Sequence, residues 1–371
     1  MNELGPGHYF ATFVGSALLT LVLVPVAMRM AVRLGVLDHP GGYKEQSSPV
    51  PYLGGVAIVV AFSAGVLVAT LLRPPVTGLG ELLLIMGLAL ALSLVGLVDD
   101  LRSLGAWPRL VVMVGAAVWL WSAGVGVQLF DQPVLDALLT VVWIVGITNA
   151  FNLLDNMDGL TAGVAAISAA WFFVIASLNG QFLVAALSIG LAGCALGFLR
   201  HNFHPARIYM GDAGSVFLGF LLAVLGIKLR FDAPREVTFL VPIIVLGVAI
   251  FDTTLVTVTR LAYRLNPMKG GRDHTSHRLV FVGVPVPIAV GLLYGGGLAL
   301  GWLALVMSGI DDSVTVYALT GFTLTVAVCL GVALGAVPVH ERSRRRRMMI
   351  TEVLSHEEPA PLGDGPIGQT A

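Results

Sequence analysis

Long apolar runs alternate with short polar loops over most of the 371-residue chain. A run of about 20 residues is long enough to cross a bilayer as a helix. Helices are the plausible spanning element because backbone polar groups in lipid must bond within their own segment. The pattern predicts an all-α, polytopic integral membrane protein with about eleven transmembrane helices. The apolar runs lie at 9–28, 56–72, 82–98, 110–130, 134–148, 160–178, 182–199, 214–229, 239–258, 288–307 and 314–337.

Composition agrees with this pattern, since 57% of the residues are hydrophobic and only 12% are charged. Basic residues set the predicted orientation, because cytoplasmic loops carry an excess of Lys and Arg. Of the 21 Lys and Arg residues, 17 follow odd-numbered runs, which places the N-terminus outside and the C-terminus in the cytoplasm. The remaining four, Arg73, Lys228, Arg230 and Arg235, fall on the opposite face, whose acidic residues form no evident cluster.

We predict a single membrane-embedded domain over residues 1–338 and a basic cytoplasmic tail over 339–371. The tail is rich in Arg, Glu and Pro, a composition typical of flexible segments. Its "RSRRRR" run favours contact with the lipid surface over binding of nucleic acid.

Polar clusters recur in the loops of the predicted cytoplasmic face. "GLVDD" places Asp99 and Asp100 side by side after a run, either as a solvated helix end or as ligands for Mg²⁺ and phosphate. "YMGDAGS" places Asp212 between glycines before a run, either as a capped turn or as a phosphate site at a helix N-terminus. In "TNAFNLLDNMDGLTAG", Asn149, Asn152, Asp155 and Asp158 recur every third residue in a segment that we read as a capped turn, and this spacing would line one side of a helical extension.

A further loop, "GGRDHTSHRL", brings two histidines and two arginines together. It is either a basic cytoplasmic loop or a cradle for a diphosphate or sugar, and the lack of a nearby Cys or third ligand disfavours zinc. Asp252 lies inside the ninth run. An acid within a membrane span is a functional candidate by default, and pairing with Arg260 is the alternative.

The set of motifs resembles the polyprenyl-phosphate N-acetylhexosamine-1-phosphate transferases of the glycosyltransferase family 4 type. The family patterns are PxPxxGG, an acid pair after a span, NxxNxxDxxDGL, NxxPAxxxMGDxGS and a late His-rich loop. All five occur here in order between about residues 40 and 280. The undecaprenyl-phosphate GlcNAc-1-phosphate transferase branch is the one that the chain resembles most.

The resemblance implies a Mg²⁺-dependent enzyme, in which Mn²⁺ can substitute, in the bacterial plasma membrane with its active site on the cytoplasmic face. Polyprenyl phosphate of the undecaprenyl or decaprenyl type would attack the β-phosphate of a UDP-N-acetylhexosamine, releasing UMP. This is the first membrane step of a cell-envelope glycan such as lipopolysaccharide, teichoic acid or arabinogalactan. No nucleic-acid partner is implied, and a homodimer is compatible with the resemblance.

Site residues follow from the resemblance by motif position. Asp99 and Asp100 are the implied catalytic acids, and Asp212 together with Asp99 is the implied metal site. The implied nucleotide-binding residues, among which Tyr209 is expected to stack on uracil, are Asn149, Asn152, Asp155, Asp158, Asn202 and Tyr209. The residues implied to contact the diphosphate and sugar are Lys44, Arg272, His274, His277 and Arg278.

Three positions depart from the family pattern: Gln46 replaces a histidine, Tyr52 a basic residue, and Ser276 a histidine of the late loop. These changes bear on the donor sugar more than on the reaction. A phospho-MurNAc-pentapeptide transferase remains the alternative enzyme. A transporter of lipid-linked sugars is the alternative of another class, although transporters more often place ionisable groups near mid-membrane within internal repeats.

Overall fold

The computed structural model describes residues 5–39, 49–72, 77–267 and 270–339, and most of these residues are helical. The predicted all-α class holds there, except for two antiparallel strands of two residues each, β1 (Leu37–Asp38) and β2 (Val50–Pro51). The helices are α1 (Pro6–Leu34), α2 (Gly54–Leu72), α3 (Leu79–Arg102), α4 (Ala106–Ser122), α5 (Pro133–Leu154), α6 (Leu160–Leu178), α7 (Phe182–Asn202), α8 (Gly211–Lys228), α9 (Arg235–Val245), α10 (Gly247–Ala262), α11 (Thr275–Phe281), α12 (Val286–Ser308) and α13 (Ser313–Gly335).

Every predicted apolar run contains a helix, but the fourth run is helical only as far as Ser122, and two of the runs differ from simple spans. In the described part of the chain, nine helices are long and apolar enough to cross a membrane. The fourth run is the 17-residue α4, and the ninth is divided into α9 and α10, which meet at a 75° bend. The bent pair counted as one span gives ten. The figure of eleven spans and the orientation stay predictions.

Helix α8 lies at the centre of the bundle, where α2, α3 and α5 pack around it and leave it almost fully buried. Small residues allow this packing, since backbones can approach closely only where side chains are short. A Cβ atom on Gly55 of α2 would lie 2.3 Å from the backbone nitrogen of Gly214. One on Gly96 of α3 would lie 2.6 Å from the carbonyl oxygen of Asp212. Three helices therefore meet where α8 begins.

Three acidic residues of the predicted outer face have partners that the sequence did not indicate. Glu81 forms an ion pair with Lys228, and Asp131 forms one with Arg235. Asp136 accepts hydrogen bonds of 2.9 Å from the backbone N–H groups of Leu129 and Phe130 and so holds the loop before α5. These contacts leave the described basic residues Lys228 and Arg235 of this face next to compensating charges.

Candidate active site

The acid pair at the end of α3 meets the first turn of α8. Asp100 accepts hydrogen bonds from the backbone N–H groups of Asp212, at 2.9 Å, and Ala213, at 3.2 Å. A carboxylate is favourable at the positive end of a helix dipole, where the first N–H groups have no partner within the helix. Gly211 makes the approach possible, since it has φ +75° and a Cβ there would lie 2.6 Å from Asp100 Oδ2. Two motifs 112 residues apart thus form one structure.

Arg109, in the first turn of α4, joins the two other carboxylates of the cluster. Its Nη1 atom lies 3.0 Å from Asp99 Oδ2 and also contacts Asp212 Oδ2. The other oxygen of Asp99 accepts a bond of 3.1 Å from the backbone N–H of Gly105. From the sequence, Arg109 is only one of the basic residues that set the predicted orientation. Its place shortly after the acid pair, on the same predicted face, was the available signal.

Asn152 completes the surroundings of Asp212. Its Nδ2 atom donates to Asp212 Oδ1 at 2.8 Å and lies 3.0 Å from Ser215 Oγ. Asn149 has a different environment, since its amide donates to the carbonyl of Val145 and contacts the sulfur of Met113 on α4. The structure therefore brings only one of the two asparagines to the acidic cluster.

The predicted helical extension is wrong for the second half of its motif, because α5 ends at Leu154. Asp155 and Asp158 lie in the turns before Gly159, whose φ of +76° leaves the helical range. Asp158 accepts a bond of 3.0 Å from the backbone N–H of Ala206 and contacts His204 Nδ1 at 2.9 Å. Burial, with Asp100 and Asp158 nearby, raises the pKa of Asp155 to about 7.

The loop between α7 and α8 is hydrogen-bonded to the turn before α6 and to the PxPxxGG segment. The side chain of Asn202 accepts from the Gly159 N–H at 3.0 Å and donates to the Ile208 carbonyl at 2.9 Å. The PxPxxGG segment runs beside the same loop, and the Tyr209 N–H donates to the carbonyl of Pro51. Burial raises the pKa of the Tyr209 hydroxyl to about 12. Nucleotide binding by Asn202 and Tyr209 stays a prediction.

Tyr52, noted in the sequence only as a departure from the family pattern, reaches the acidic cluster. Its side chain hydrogen-bonds to Asp100. Burial and then the negative charge of Asp100 raise the pKa of the Tyr52 hydroxyl, which therefore stays protonated and can donate. A neutral donor thus stands where the family pattern has a basic residue.

The late loop is built on two buried carboxylate contacts, an Asp–His hydrogen bond and an Arg–Asp ion pair, and their partners differ from those considered above. Asp252 hydrogen-bonds to His274, with 2.7 Å between Oδ2 and Nδ1. The alternative prediction, in which Asp252 pairs with Arg260, was therefore wrong. Arg260 instead makes a bidentate pair with Asp273, at 2.8 and 2.6 Å. The sequence spacing favoured a partner on the same helix, whereas the chain returns after α10 and brings the loop back against it.

Arg278 is surrounded by protein groups that accept its hydrogen bonds. Its side chain is fully buried, and its donors bond to the Asp273 carbonyl, the Leu334 carbonyl and Thr259 Oγ1 at 2.7, 2.9 and 3.0 Å. A guanidinium with its donors used in this way braces the loop against α10 and α13. The predicted contact of Arg278 with the diphosphate finds no support in this geometry.

The late loop also contacts the "TNAFNLLDNMDGLTAG" segment, because Ser276 Oγ donates to Asn156 Oδ1 at 2.7 Å. Ser276 is the residue that replaces a family histidine, and the sequence offered no sign of this contact. His277 is partly buried, and burial, with His274 and Arg272 nearby, lowers its pKa to about 4. Arg272 is exposed. Lys44 and Gln46, and nearly all of the tail, lie outside the described residues.

The donor set fits a single Mg²⁺ ion. Mg²⁺ usually takes one or two carboxylates together with substrate phosphates. Asp99 and Asp212 already converge on one cationic nitrogen, that of Arg109. No group of three or more His, Cys, Asp or Glu residues capable of holding a metal occurs among the described residues. The arrangement therefore suits a cation that is completed by phosphate and not one enclosed by protein.

Comparison with known proteins supports the resemblance. A profile described as glycosyl transferase family 4 matches residues 82–230, which include the acid pair and Asp212. The chain is 34% identical over 307 residues to the probable undecaprenyl-phosphate N-acetylglucosaminyl 1-phosphate transferase of Bacillus subtilis, covering 80% of this chain and 84% of that protein. It is 30% identical to the decaprenyl-phosphate N-acetylglucosaminephosphotransferase of Mycolicibacterium smegmatis, covering 84% of each chain.

The same comparison finds the alternative enzyme class as well. The chain is 32% identical to the phospho-N-acetylmuramoyl-pentapeptide-transferase of Moorella thermoacetica, over 67% of this chain and 82% of that protein. The relatives thus share one family while their names give different donors. The chain belongs to glycosyl transferase family 4, as its five ordered motifs predicted.

Proposed function

We propose that the protein transfers N-acetylglucosamine 1-phosphate from UDP-GlcNAc to a polyprenyl phosphate of the undecaprenyl or decaprenyl type. An oxygen of the lipid phosphate bonds to the β-phosphorus of the donor. The bond between that phosphorus and the oxygen bridging to the α-phosphate breaks, and UMP leaves with the bridging oxygen. The product is polyprenyl-diphosphate-GlcNAc, made at the cytoplasmic face of a bacterial plasma membrane.

The observation that carries this proposal is the junction of α3, α4, α5 and α8. It gathers Asp99 and Asp212 around Arg109 and places Asp100 against the N-terminus of α8. The reaction brings a phosphate anion to a diphosphate anion, so the main barrier is charge repulsion. Arg109 can pair with a phosphate oxygen, while Asp100 keeps the first turn of α8 in place.

We propose that Asp99 and Asp212 hold Mg²⁺, which Mn²⁺ can replace. When bound, the ion would neutralise charge on the donor phosphates. Asn152 fixes the carboxylate of Asp212 through its 2.8 Å bond, so the negative charge stays in position while a substrate binds. The contribution of Asn152 and Asp212 is therefore preorganised charge.

The donor is the finer part of the proposal. Relatives with N-acetylglucosamine in their names match 34% and 30% of aligned positions over 80% or more of this chain. Phospho-N-acetylmuramoyl-pentapeptide relatives are 32% identical over 67% of it and 30% identical over 81% of it, so the difference lies in the 34% identity to the first N-acetylglucosamine relative. We therefore favour UDP-GlcNAc, with the phospho-MurNAc-pentapeptide donor as the second candidate. A transporter is not favoured, because the site lies at helix ends.

A panel of UDP-sugars tests the function. With Mg²⁺ and one polyprenyl phosphate, the purified protein should release UMP from UDP-GlcNAc faster than from UDP-GalNAc, UDP-glucose or UDP-MurNAc-pentapeptide. Omitting the lipid, or adding a chelator, should abolish the release. Release mainly from UDP-MurNAc-pentapeptide would select the second candidate, and no release from any UDP-sugar would refute the enzyme proposal.

We further propose direct transfer in one step, without a phosphorylated aspartate. A phosphate monoester has a second pKa of about 6, so the lipid phosphate is mostly dianionic at neutral pH and needs no general base. Asp100 has both oxygens bonded to backbone N–H groups, and Asp99 is bonded to Gly105 and Arg109. These contacts make both side chains poor nucleophiles.

Isotope exchange tests this mechanism. Labelled UMP should not enter UDP-GlcNAc in the absence of polyprenyl phosphate, because without the acceptor no bond to the β-phosphorus is broken. Addition of the lipid should permit exchange and serves as the positive control. Exchange without lipid at a rate comparable to turnover would establish a covalent intermediate on Asp99 or Asp100.

A further inference from the structure

Asp252 is a buried acid that the proposed transfer does not use directly. It lies in α10, shortly after the 75° bend, and only 1% of its surface is exposed. A buried carboxylate is costly unless it is paired and hydrogen-bonded. Here Oδ2 lies 2.7 Å from His274 Nδ1, and Oδ1 accepts a 2.7 Å bond from the backbone N–H of Thr275. Both oxygens are therefore directed at the late loop.

The partner of Asp252 determines how His274 is protonated. An ionised carboxylate can only accept hydrogen bonds, so the proton of the contact must be on His274 Nδ1. A histidine held in this way has Nε2 as its remaining polar atom, and the carboxylate sets the orientation of the ring. His274 is itself 97% buried, with 3% of its surface exposed, so free rotation of the ring is excluded.

The other charged groups around this pair hold the backbone of the loop and not the imidazole ring. Arg260 bonds to Asp273 and to the Pro267 carbonyl, and Arg278 bonds to the Asp273 carbonyl. His277 has its ring centre 6.0 Å from that of His274, and its buried Nδ1 atom has no partner. Of the two histidines, only His274 is thus oriented by a carboxylate.

We propose that Asp252 is a positioning residue, which holds His274 as the Nδ1–H form so that its unprotonated Nε2 accepts a hydrogen bond from a hydroxyl or amide N–H of the donor sugar. This inference rests on the proposed function. It explains an acid placed after the break in a predicted span, since α10 carries the carboxylate to the height of the late loop. The lipid acceptor takes no part in this contact.

A double-mutant cycle tests the proposal. Asp252→Asn keeps the size of the side chain but offers an N–H group to Nδ1, which favours the opposite tautomer. We expect it to lower kcat/KM for UDP-GlcNAc on the order of tenfold, the lower end of the loss found when a residue that orients a metal-bound histidine is removed. In a His274→Asn background the same change should have little effect, and in a His277→Asn background it should keep its full effect. Equal losses in all three backgrounds would reduce Asp252 to a structural residue and overturn the proposal.

A second measurement does not depend on activity, and it reports on the wild-type protein. In protein labelled with ¹⁵N-histidine, the signal absent from His274→Asn identifies His274. We expect the wild-type signal to show a protonated Nδ1, and a ring protonated only at Nε2 would overturn the proposal. If no UDP-sugar releases UMP, the proposed function fails, and this spectrum still decides whether Asp252 fixes the ring.

Discussion

Replacement of Asp212 by asparagine is expected to lower kcat for UMP release by about 10³-fold, a loss typical of removing a group that stabilises transition-state charge. Asp212 receives Arg109 on one oxygen and Asn152 on the other, so its negative charge is fixed in place. The amide removes that charge and turns an N–H group toward donors. It also removes one of the two carboxylates proposed to hold Mg²⁺.

The measurement is kcat at saturating UDP-GlcNAc and lipid, together with Mn²⁺ binding followed by electron paramagnetic resonance. Asp131→Asn is the matched control, because Asp131 is also an aspartate paired with an arginine but belongs to the predicted outer face. We expect the control to keep wild-type activity. Full turnover by Asp212→Asn, with Mn²⁺ binding retained, would contradict both the metal role and the charge argument.

Replacement of Gly96 by alanine is expected to lower kcat by about 10²-fold, although no atom of Gly96 takes part in the chemistry. Its Cβ would lie 2.6 Å from the carbonyl oxygen of Asp212, so α3 and α8 must move apart. Asp99 and Asp100 follow Gly96 on the same helix, and the shift separates them from Asp212. Misplacement of reacting groups by about 1 Å can cost on this order in rate.

Gly87→Ala is the matched control in the same helix, since a Cβ at Gly87 meets nothing within 4 Å. Alanine is a better helix former than glycine, so intrinsic propensity alone predicts a small gain in stability for both variants. Activity and thermal unfolding in detergent should be measured together. Wild-type kcat in Gly96→Ala would show that the junction of α3 and α8 tolerates a side chain and that its tightness does not position the acids.

The helices could be predicted because apolar length is a direct consequence of the bilayer's thickness. The break in the ninth run could not, because both halves are apolar and the chain breaks at Leu246 and Gly247 without a polar signal. Packing explains the site of the break better than composition does. A Cβ on Gly247 would lie 2.9 Å from Leu300, so α12 lies directly against the bend.

The site could be predicted as a set of motifs but not as a set of contacts. Asp99, Asp100, Asn152 and Asp212 come together as their common face indicated. Spacing along the chain does not tell which side chain meets which. Spacing therefore identifies Arg109 only as a basic loop residue. It also favours Arg260, on the same helix, as the partner of Asp252. Asp155 and Asp158 were placed on a helix that ends before them.

Arg278 has a consequence for how the enzyme matures during synthesis. Val316 is the only buried side chain of α13. Nevertheless, the carbonyl of Leu334, at the far end of α13, accepts a 2.9 Å hydrogen bond from the fully buried Arg278. The ribosome makes α11 before α13, so Arg278 lacks this acceptor until the later helix has entered the membrane. A buried donor without an acceptor is costly. The His274 loop therefore has all of its described hydrogen bonds only when α13 is in place.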